Sequence, residues 1–179
     1  MSDPFDLQQN SDYDGEDPTR VSMHYDPFDE RFIGQTNYGQ IFDVAYITPL
    51  HGNLYHGGCR TGLILPEGIK HVVSLYPWER YTINHEVDSE LYIRMYDSPG
   101  QGVEGLDEIA EHVNRCRVNG STLVHCQAGL NRSSLVVARA LFFEGGRTGD
   151  EIVDYLRESR CQAVLCNPAF EAIVRSWGH

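Results

Sequence analysis

The segment STLVHCQAGLNRSS, residues 121–134, carries the strongest indication of the fold. Its first five residues, 121–125, form a short β-branched run that is typical of a buried strand. Residues 133–143 are apolar nearly all round, which predicts a central buried helix. The stretch therefore predicts a strand, a tight loop and the start of a buried helix.

Patterns on either side of this stretch predict the rest of an α/β domain. Runs at 71–75 and 91–96 are typical of buried strands, and residues 44–47 and 53–55 flank a turn-rich TPLHG and predict an antiparallel pair. Helices are predicted over 104–118, from a capping box at Thr148 to about residue 159, and from Asn167-Pro168 onward. We expect a single domain with a central, mostly parallel sheet of about five strands flanked by helices.

Ligands in such folds bind where strands end, and the predicted loop occupies that place. Five residues separate Cys126 from Arg132, and a loop of this length at a helix N-terminus can curl its amide groups around one tetrahedral oxyanion. Gly129 allows a positive φ within the loop. The same field favours the thiolate of Cys126, and Arg132 can offer a planar fork to two phosphoryl oxygens. The loop is thus predicted to bind phosphate beside a nucleophile.

Composition fits this prediction. The 179 residues are 41% hydrophobic and 22% charged, as expected for one soluble globular domain. The net charge is −12, of which residues 1–30 carry −8 and the remainder only −4. This balance disfavours a partner recognised through many phosphates, either nucleic acid or an anionic membrane surface. It leaves room for a compact cationic pocket.

Residues 1–38 are predicted to be an acidic, mobile tail, with the folded domain spanning 39–179. The motif Asp-Pro-Phe-Asp occurs at residues 3–6 and again at 26–29. Two interpretations stay open: a pair of docking motifs for a partner's groove, or a solvated tail with chance repetition.

No apolar stretch approaches the roughly 20 residues that cross a bilayer, and the first residues lack the pattern of a signal peptide. The odd set of five cysteines has no disulfide-scaffold density, which favours a reducing compartment. We therefore expect a cytoplasmic protein without a membrane segment, and a monomer as the default state.

The sequence HCQAGLNRS, residues 125–133, matches the His-Cys-X5-Arg-Ser pattern of the cysteine-dependent protein tyrosine phosphatase superfamily. The chain resembles the small dual-specificity branch most, over about residues 40–177. Softer matches are VAYITPLHGNLYHGG, GIKHVVSL and a closing CNPAFEAIV. The resemblance implies a phosphocysteine intermediate that forms at Cys126 and is then hydrolysed by water.

The resemblance also implies roles for other residues. Asp97, 29 residues before Cys126, matches the general acid that protonates the leaving oxygen and then activates water. Ser133 matches a hydroxyl that stabilises the thiolate, and His125 a histidine that orients the loop without acting as acid or base. Backbone donors to phosphate, with side chains at the pocket rim, are expected from Gln127, Ala128, Gly129, Leu130 and Asn131.

Several of these residues also admit other interpretations. A lone cysteine is often a packing residue, but Cys126 comes with an arginine, a glycine and an acid at suitable spacing. His112 and Cys116 lie four apart on a helix without two further ligands at zinc spacing, so no metal site and no cofactor are expected. Cys59 or another thiol could trap an oxidised Cys126 as a disulfide.

The predicted function is hydrolysis of phosphate monoesters on phosphotyrosine, and on phosphoserine and phosphothreonine, in a phosphorylated protein substrate. One alternative is an RNA 5′-triphosphatase, which shares a similar loop, although a domain with a single lysine gives RNA little electrostatic help. Another is a non-catalytic adaptor that binds phosphoproteins, with the acidic tail contacting a docking partner.

Overall fold

A computed structural model describes residues 16–99 and 104–178 of the chain. The first Asp-Pro-Phe-Asp motif and residues 100–103 of the loop after Asp97 lie outside these described residues. Within them, no helix is long and apolar enough to cross a membrane. The elements, in chain order, are β1 (Ser22–Asp26), β2 (Arg31–Gln35), β3 (Ile41–Ala45), β4 (Ile47–Pro49), β5 (Leu54–Gly57), β6 (His71–Ser74), β7 (Ser89–Tyr92), α1 (Leu106–Asn119), β8 (Thr122–His125), α2 (Arg132–Glu144), α3 (Gly149–Ser159) and α4 (Pro168–Arg175).

Five strands form the central sheet, in the order β4-β5-β8-β6-β7. Only β4 runs antiparallel to its neighbour, so the predicted α/β fold with a mostly parallel sheet is confirmed. All four residues of β8 are buried, because the strand lies in the middle of the sheet and is covered by helices. Its carboxyl end therefore opens the Cys126–Arg132 loop at the centre of the molecule.

The helices begin and end close to where the sequence predicts. Helix α2 follows the loop directly and is buried on most of its circumference, as its apolar pattern indicates. The capping box of α3 is present, with Thr148 and Glu151 each bonding the other's backbone. Asn167 caps α4 by accepting from the backbone amides of Ala169 and Phe170, with Pro168 in the first turn.

A second sheet precedes the central one, and the sequence analysis missed it. Strands β1, β2 and β3 form an antiparallel meander. The expectation of a tail over residues 1–38 is therefore wrong for the strands within it, and Val44 belongs to β3 rather than to the β4–β5 pair. Phe32 and Phe42 are buried in the same apolar core as helix α2, which offsets the entropy of ordering this region.

The second Asp-Pro-Phe-Asp motif forms the turn between β1 and β2. Asp26 accepts a hydrogen bond from the backbone amide of Phe28, and the Phe28 side chain is 94% exposed. Turn formation is what an Asp-Pro pair favours. The motif therefore has a local structural role in this turn.

Candidate active site

The Cys126–Arg132 loop packs tightly against strand β5. Gly129 has a φ of +74°, and a Cβ there would lie 2.5 Å from the carbonyl carbon of Gly57. Both the left-handed backbone and the close approach require glycine. This confirms the positive φ that the sequence predicts at this position.

Four consecutive carbonyl oxygens of the loop are bound by groups outside it. The oxygen of Gln127 accepts from the amide of Cys59, and that of Leu130 from the amide of Leu165. Between them, the oxygens of Ala128 and Gly129 accept from the guanidinium of Arg160 at 3.0 and 2.8 Å. Because a trans peptide points its N–H opposite to its C=O, the following amides are directed to the other side of the loop. That arrangement suits an oxyanion.

Arg160 is a site residue that the sequence analysis missed. Its guanidinium also donates to the oxygen of Ala45 and to Thr48 Oγ1, at 2.8 and 2.9 Å, so it joins the loop to β3 and β4. Burial lowers the pKa of Arg160 to about 10, which still leaves it charged at neutral pH. A positive charge thus lies directly behind the loop.

The thiol of Cys126 lies in a chain of buried polar groups. Its Sγ is 3.2 Å from Ser133 Oγ, which lies 3.1 Å from His56 Nε2. His56 Nε2 also lies 3.0 Å from Ser134 Oγ. Burial, reinforced by the nearby charge of Arg160, holds the pKa of His56 well below its usual value, so the imidazole is neutral. When Nε2 carries the proton, it can donate to Ser133 and leave the Ser133 hydroxyl free to donate to sulfur.

His125 is buried at the end of β8, beside the loop. Its Nδ1 donates to the carbonyl of Cys126 at 3.0 Å, and the edge of its ring meets Tyr81. Burial lowers the pKa of His125 to about 4, although the backbone hydrogen bond opposes this. A neutral ring tied to the backbone suits an orienting role.

Asp97 lies against the loop, with both carboxylate oxygens bound by amides. Asn131 Nδ2 and Asn167 Nδ2 each donate at 3.0 Å. Burial raises the pKa of Asp97 above its usual value, against the opposing effects of the Asn167 bond, the charge of Arg132 and the Asn131 bond. A raised pKa keeps the proton on the carboxyl to higher pH, as a general acid requires.

Two loop side chains at the pocket also make hydrogen bonds to residues outside the loop. Asn131 holds Asp97 and also accepts from the backbone amide of Asn167 at 2.9 Å. Gln127 uses both ends of its amide on the backbone of Val21, each bond 2.9 Å long. Neither contact could be foreseen, because the partners lie far away in sequence.

Arg132 begins helix α2 and is almost fully buried, with its guanidinium over the ring of Tyr76. Nη1 donates to the carbonyl of Met95 at 3.0 Å and to Asp17 Oδ2 at 2.6 Å. Asp17 lies in a part of the chain expected to be a tail. The structure therefore places the carboxylate of Asp17, which the sequence did not predict at the site, against Arg132, the residue predicted to bind phosphate.

Seven of the ten predicted site residues line one pocket, whereas His125, Gly129 and Ser133 are not part of its lining. Its lining consists of Val21, Thr36, Asp97, Cys126, Gln127, Ala128, Leu130, Asn131 and Arg132. Residues 16–99 and 104–178 contain no group of three His, Cys, Asp or Glu side chains that could hold a metal ion. The arrangement can support nucleophilic displacement at a bound oxyanion with acid assistance.

A cysteine and an arginine at the two ends of such a loop, with a carboxylic acid beside them, define the cysteine-dependent phosphatase class. Residues 64–179 match the family model described as "Dual specificity phosphatase, catalytic domain". This match spans more than half of the chain, so the chain belongs to the dual-specificity phosphatase family. The match to the family model starts at residue 64, so it does not include strands β1–β5.

Solved structures of similar fold support the assignment. Human DUSP28 is 18% identical with a TM-score of 0.61, over 73% of this chain and 90% of that one. DUSP15 is 20% identical with a TM-score of 0.60, over 72% and 85%. OH1 from the Orf virus, described as a tyrosine phosphatase with triple substrate specificity, is 20% identical with a TM-score of 0.54, over 72% and 83%. At these identities the likeness shows the fold. No curated protein sequence matches the chain.

Proposed function

We propose that this phosphatase hydrolyses phosphate monoesters on tyrosine, serine and threonine side chains of proteins, with Cys126 as its nucleophile. The observation that carries the proposal is the meeting of Cys126, Arg132 and Asp97 around one pocket. A binding protein needs the amides and the arginine of such a loop. It has no use for a thiol and a carboxylic acid directed at the same oxyanion.

In the first step the Cys126 thiolate attacks phosphorus, and the bond from phosphorus to the leaving oxygen breaks. Asp97 donates its proton to that oxygen, which its raised pKa supports. Arg132 and the loop amides take the charge that develops on the equatorial oxygens. The products are the free alcohol or phenol and a phosphocysteine.

In the second step water attacks the phosphocysteine, and the phosphorus–sulfur bond breaks. The Asp97 carboxylate takes the proton from water, and inorganic phosphate leaves. The electron pair returns to sulfur, where a hydrogen bond from Ser133 stabilises the thiolate; the 3.2 Å contact supports this role. No metal or cofactor takes part in this scheme.

A protein substrate fits the charge of the chain better than RNA does. The net charge of −12 gives a polyanion no extended basic surface, and the positive groups at the described site are the buried Arg132 and the half-buried Arg160. We expect this compact site to select an isolated phosphate monoester. The reaction needs no membrane, and a cytoplasmic location is part of the same proposal.

The test is hydrolysis of p-nitrophenyl phosphate by the full chain and by Cys126→Ser. We expect turnover by the wild type and a loss of at least about 10³-fold in the variant, because the nucleophile is removed. Cys161→Ser is the matched control, since Cys161 lies outside the pocket, and it should keep wild-type kcat.

Peptides carrying phosphotyrosine, phosphoserine or phosphothreonine, and a 5′-triphosphorylated RNA, then identify the substrate class. Release of phosphate from the RNA but from none of the peptides would replace our proposal with the triphosphatase. A folded wild type that binds phosphopeptides without any turnover would replace it with the adaptor.

A further inference from the structure

Among the described residues, the guanidinium of Arg132 makes its side-chain hydrogen bonds through one nitrogen. Both of its hydrogen bonds described above leave from Nη1, toward Asp17 and Met95. Nε is buried and has no hydrogen-bond partner among the described residues. Because the guanidinium is planar and rigid, fixing Nη1 also fixes the direction of the Nε edge. An orphaned, buried N–H donor on an arginine in an oxyanion pocket marks the place of an acceptor that the ligand supplies.

Asp17 is itself held in place. Its Oδ1 accepts from the amide and the hydroxyl of Thr19, at 2.8 and 2.6 Å, which leaves Oδ2 for Arg132. The Asp17 side chain is 0% exposed and that of Arg132 is 3% exposed. A buried ion pair of this kind has one favoured geometry, since moving either partner leaves a charge buried without its counter-charge.

The segment that carries Asp17, residues 17–21, is tied to the site at two further points; we call it the N-terminal strap. Gln127 bonds both backbone groups of Val21. Thr19 Oγ1 accepts from the amide of Asp97 at 2.9 Å. The strap thus contacts the first and last parts of the loop and the residue proposed as general acid.

We propose that Asp17 is a positioning residue, which holds Nη1 of Arg132 so that the Nε edge faces the phosphoryl oxygens. The N-terminal strap is then a working part of the active site, although it lies outside residues 64–179 that match the family. This proposal rests on the proposed function, because it assigns Arg132 to phosphate.

The alternative is that Asp17 blocks the pocket as a built-in anion. Two observations favour positioning. Asp17 is not among the residues that line the pocket, whereas its strap neighbour Val21 is. The carboxylate also binds Nη1 and leaves Nε, the atom of the bidentate edge, without a partner.

The test compares the full chain with Asp17→Asn, using tungstate as a phosphate-like probe and calorimetry as the readout. Asparagine keeps the size and can still accept from Thr19, but it loses the charge that holds Arg132. We expect tungstate affinity to fall about 10-fold or more, and kcat/KM for p-nitrophenyl phosphate to fall with it. Asp29→Asn is the matched control, since Asp29 is exposed in the β1–β2 turn, and it should change neither quantity.

The same Asp17→Asn change, made in the Arg132→Lys variant, distinguishes positioning of Arg132 from a purely structural role of Asp17. In Arg132→Lys there is no planar edge to orient, so adding Asp17→Asn should change tungstate affinity less than about 2-fold. Equal losses in the two backgrounds would mean that Asp17 only supports the fold. Unchanged tungstate affinity in Asp17→Asn overturns the proposal, and tighter binding with faster turnover would show that Asp17 blocks the pocket.

Because calorimetry measures binding rather than turnover, it tests the role of Asp17 separately from the proposed phosphatase function. Tungstate binding needs no turnover. A wild type that binds tungstate but hydrolyses nothing would refute the phosphatase function and leave the comparison of Asp17→Asn with wild type intact. Catalysis with the same tungstate affinity in both proteins would refute positioning alone.

Discussion

The loop–helix unit, residues 122–144, and the N-terminal region, residues 16–45, build the same pocket in different ways. In the first, only five residues of local chain separate the proposed nucleophile Cys126 from Arg132. In the second, each contribution crosses the molecule: Asp17 reaches Arg132 over 115 positions, and Val21 reaches Gln127 over 106. A site can therefore be recognisable in one short segment and still depend on another segment that carries no motif.

Asp97 lies where the two regions meet. Its backbone amide and carbonyl are bound by Thr19 and Tyr38 of the N-terminal region, and its carboxylate by Asn131 and Asn167. The backbone of this residue is thus placed by one region and its side chain by the other. Of the changes predicted below, loss of the Asp97 acid has the largest expected effect, and it falls on a residue that both regions position.

Asp97→Asn should lower kcat on phenyl phosphate by about 10²–10⁴-fold, because a poor leaving group needs the proton that an amide cannot give. Steady-state kinetics measures the loss. Tungstate affinity should stay close to wild type, since asparagine has nearly the same shape. Asp88→Asn is the control, because that carboxylate is exposed. Wild-type kcat on phenyl phosphate would remove Asp97 from the acid role.

The N-terminal region shares the core of the domain, and this can be tested through stability. Phe32 is 0% exposed, and its ring packs beside Gly58, where an added Cβ would lie 2.8 Å from it. Phe32→Ala should therefore lower the free energy of unfolding by about 3–5 kcal/mol, as for a large side chain removed from a packed core. Urea unfolding followed by circular dichroism measures this loss.

The matched control is Phe28→Ala, in the exposed turn between β1 and β2, which should stay within about 0.5 kcal/mol of wild type. A separate transition at low urea in Phe32→Ala, with the main transition unmoved, would mean that the N-terminal sheet unfolds independently. The two regions would then be joined only at the pocket.

Local patterns accounted for much of the fold. Strand β8, helix α2 and the caps of α3 and α4 follow from alternation, apolar periodicity and short capping motifs, all of which act within a few residues. The positive φ of Gly129 in the loop was likewise predictable from the local sequence. For this reason the central sheet and the place of the pocket were predictable.

The missed parts depend on contacts between distant segments. Residues 16–38 are acidic and carry few aliphatic side chains, and the packing of Val21 and Phe32 into the domain core stabilises them as strands. Asp17 and Arg160 have no pattern that sets them apart from surface charges. His56 offered a signal, since a histidine in a buried parallel strand needs a polar partner, which Ser133 and Ser134 supply.

The smallest expected effect is on the pH dependence of the reaction. The bond from Asn167 Nδ2 stabilises the charged form of Asp97, as does Arg132, whereas burial and the charge of Asp17 favour the neutral form. Asn167→Ser keeps a side chain that can cap α4 but removes the amide donor. The pKa of Asp97 should then rise further, because the lost hydrogen bond stabilises the charged carboxylate more than the neutral acid.

The sign of the kinetic effect follows from the role of the acid. Asp97 must be protonated in the free enzyme for the first step, so activity is lost as pH rises through its pKa. In Asn167→Ser the alkaline limb of kcat/KM should move to higher pH, while Asn119→Ser, at the exposed end of α1, should leave it in place. A limb that moves to lower pH would contradict the assignment. The hydrogen bond from Asn167 would then fix the position of Asp97 rather than stabilise its charged form.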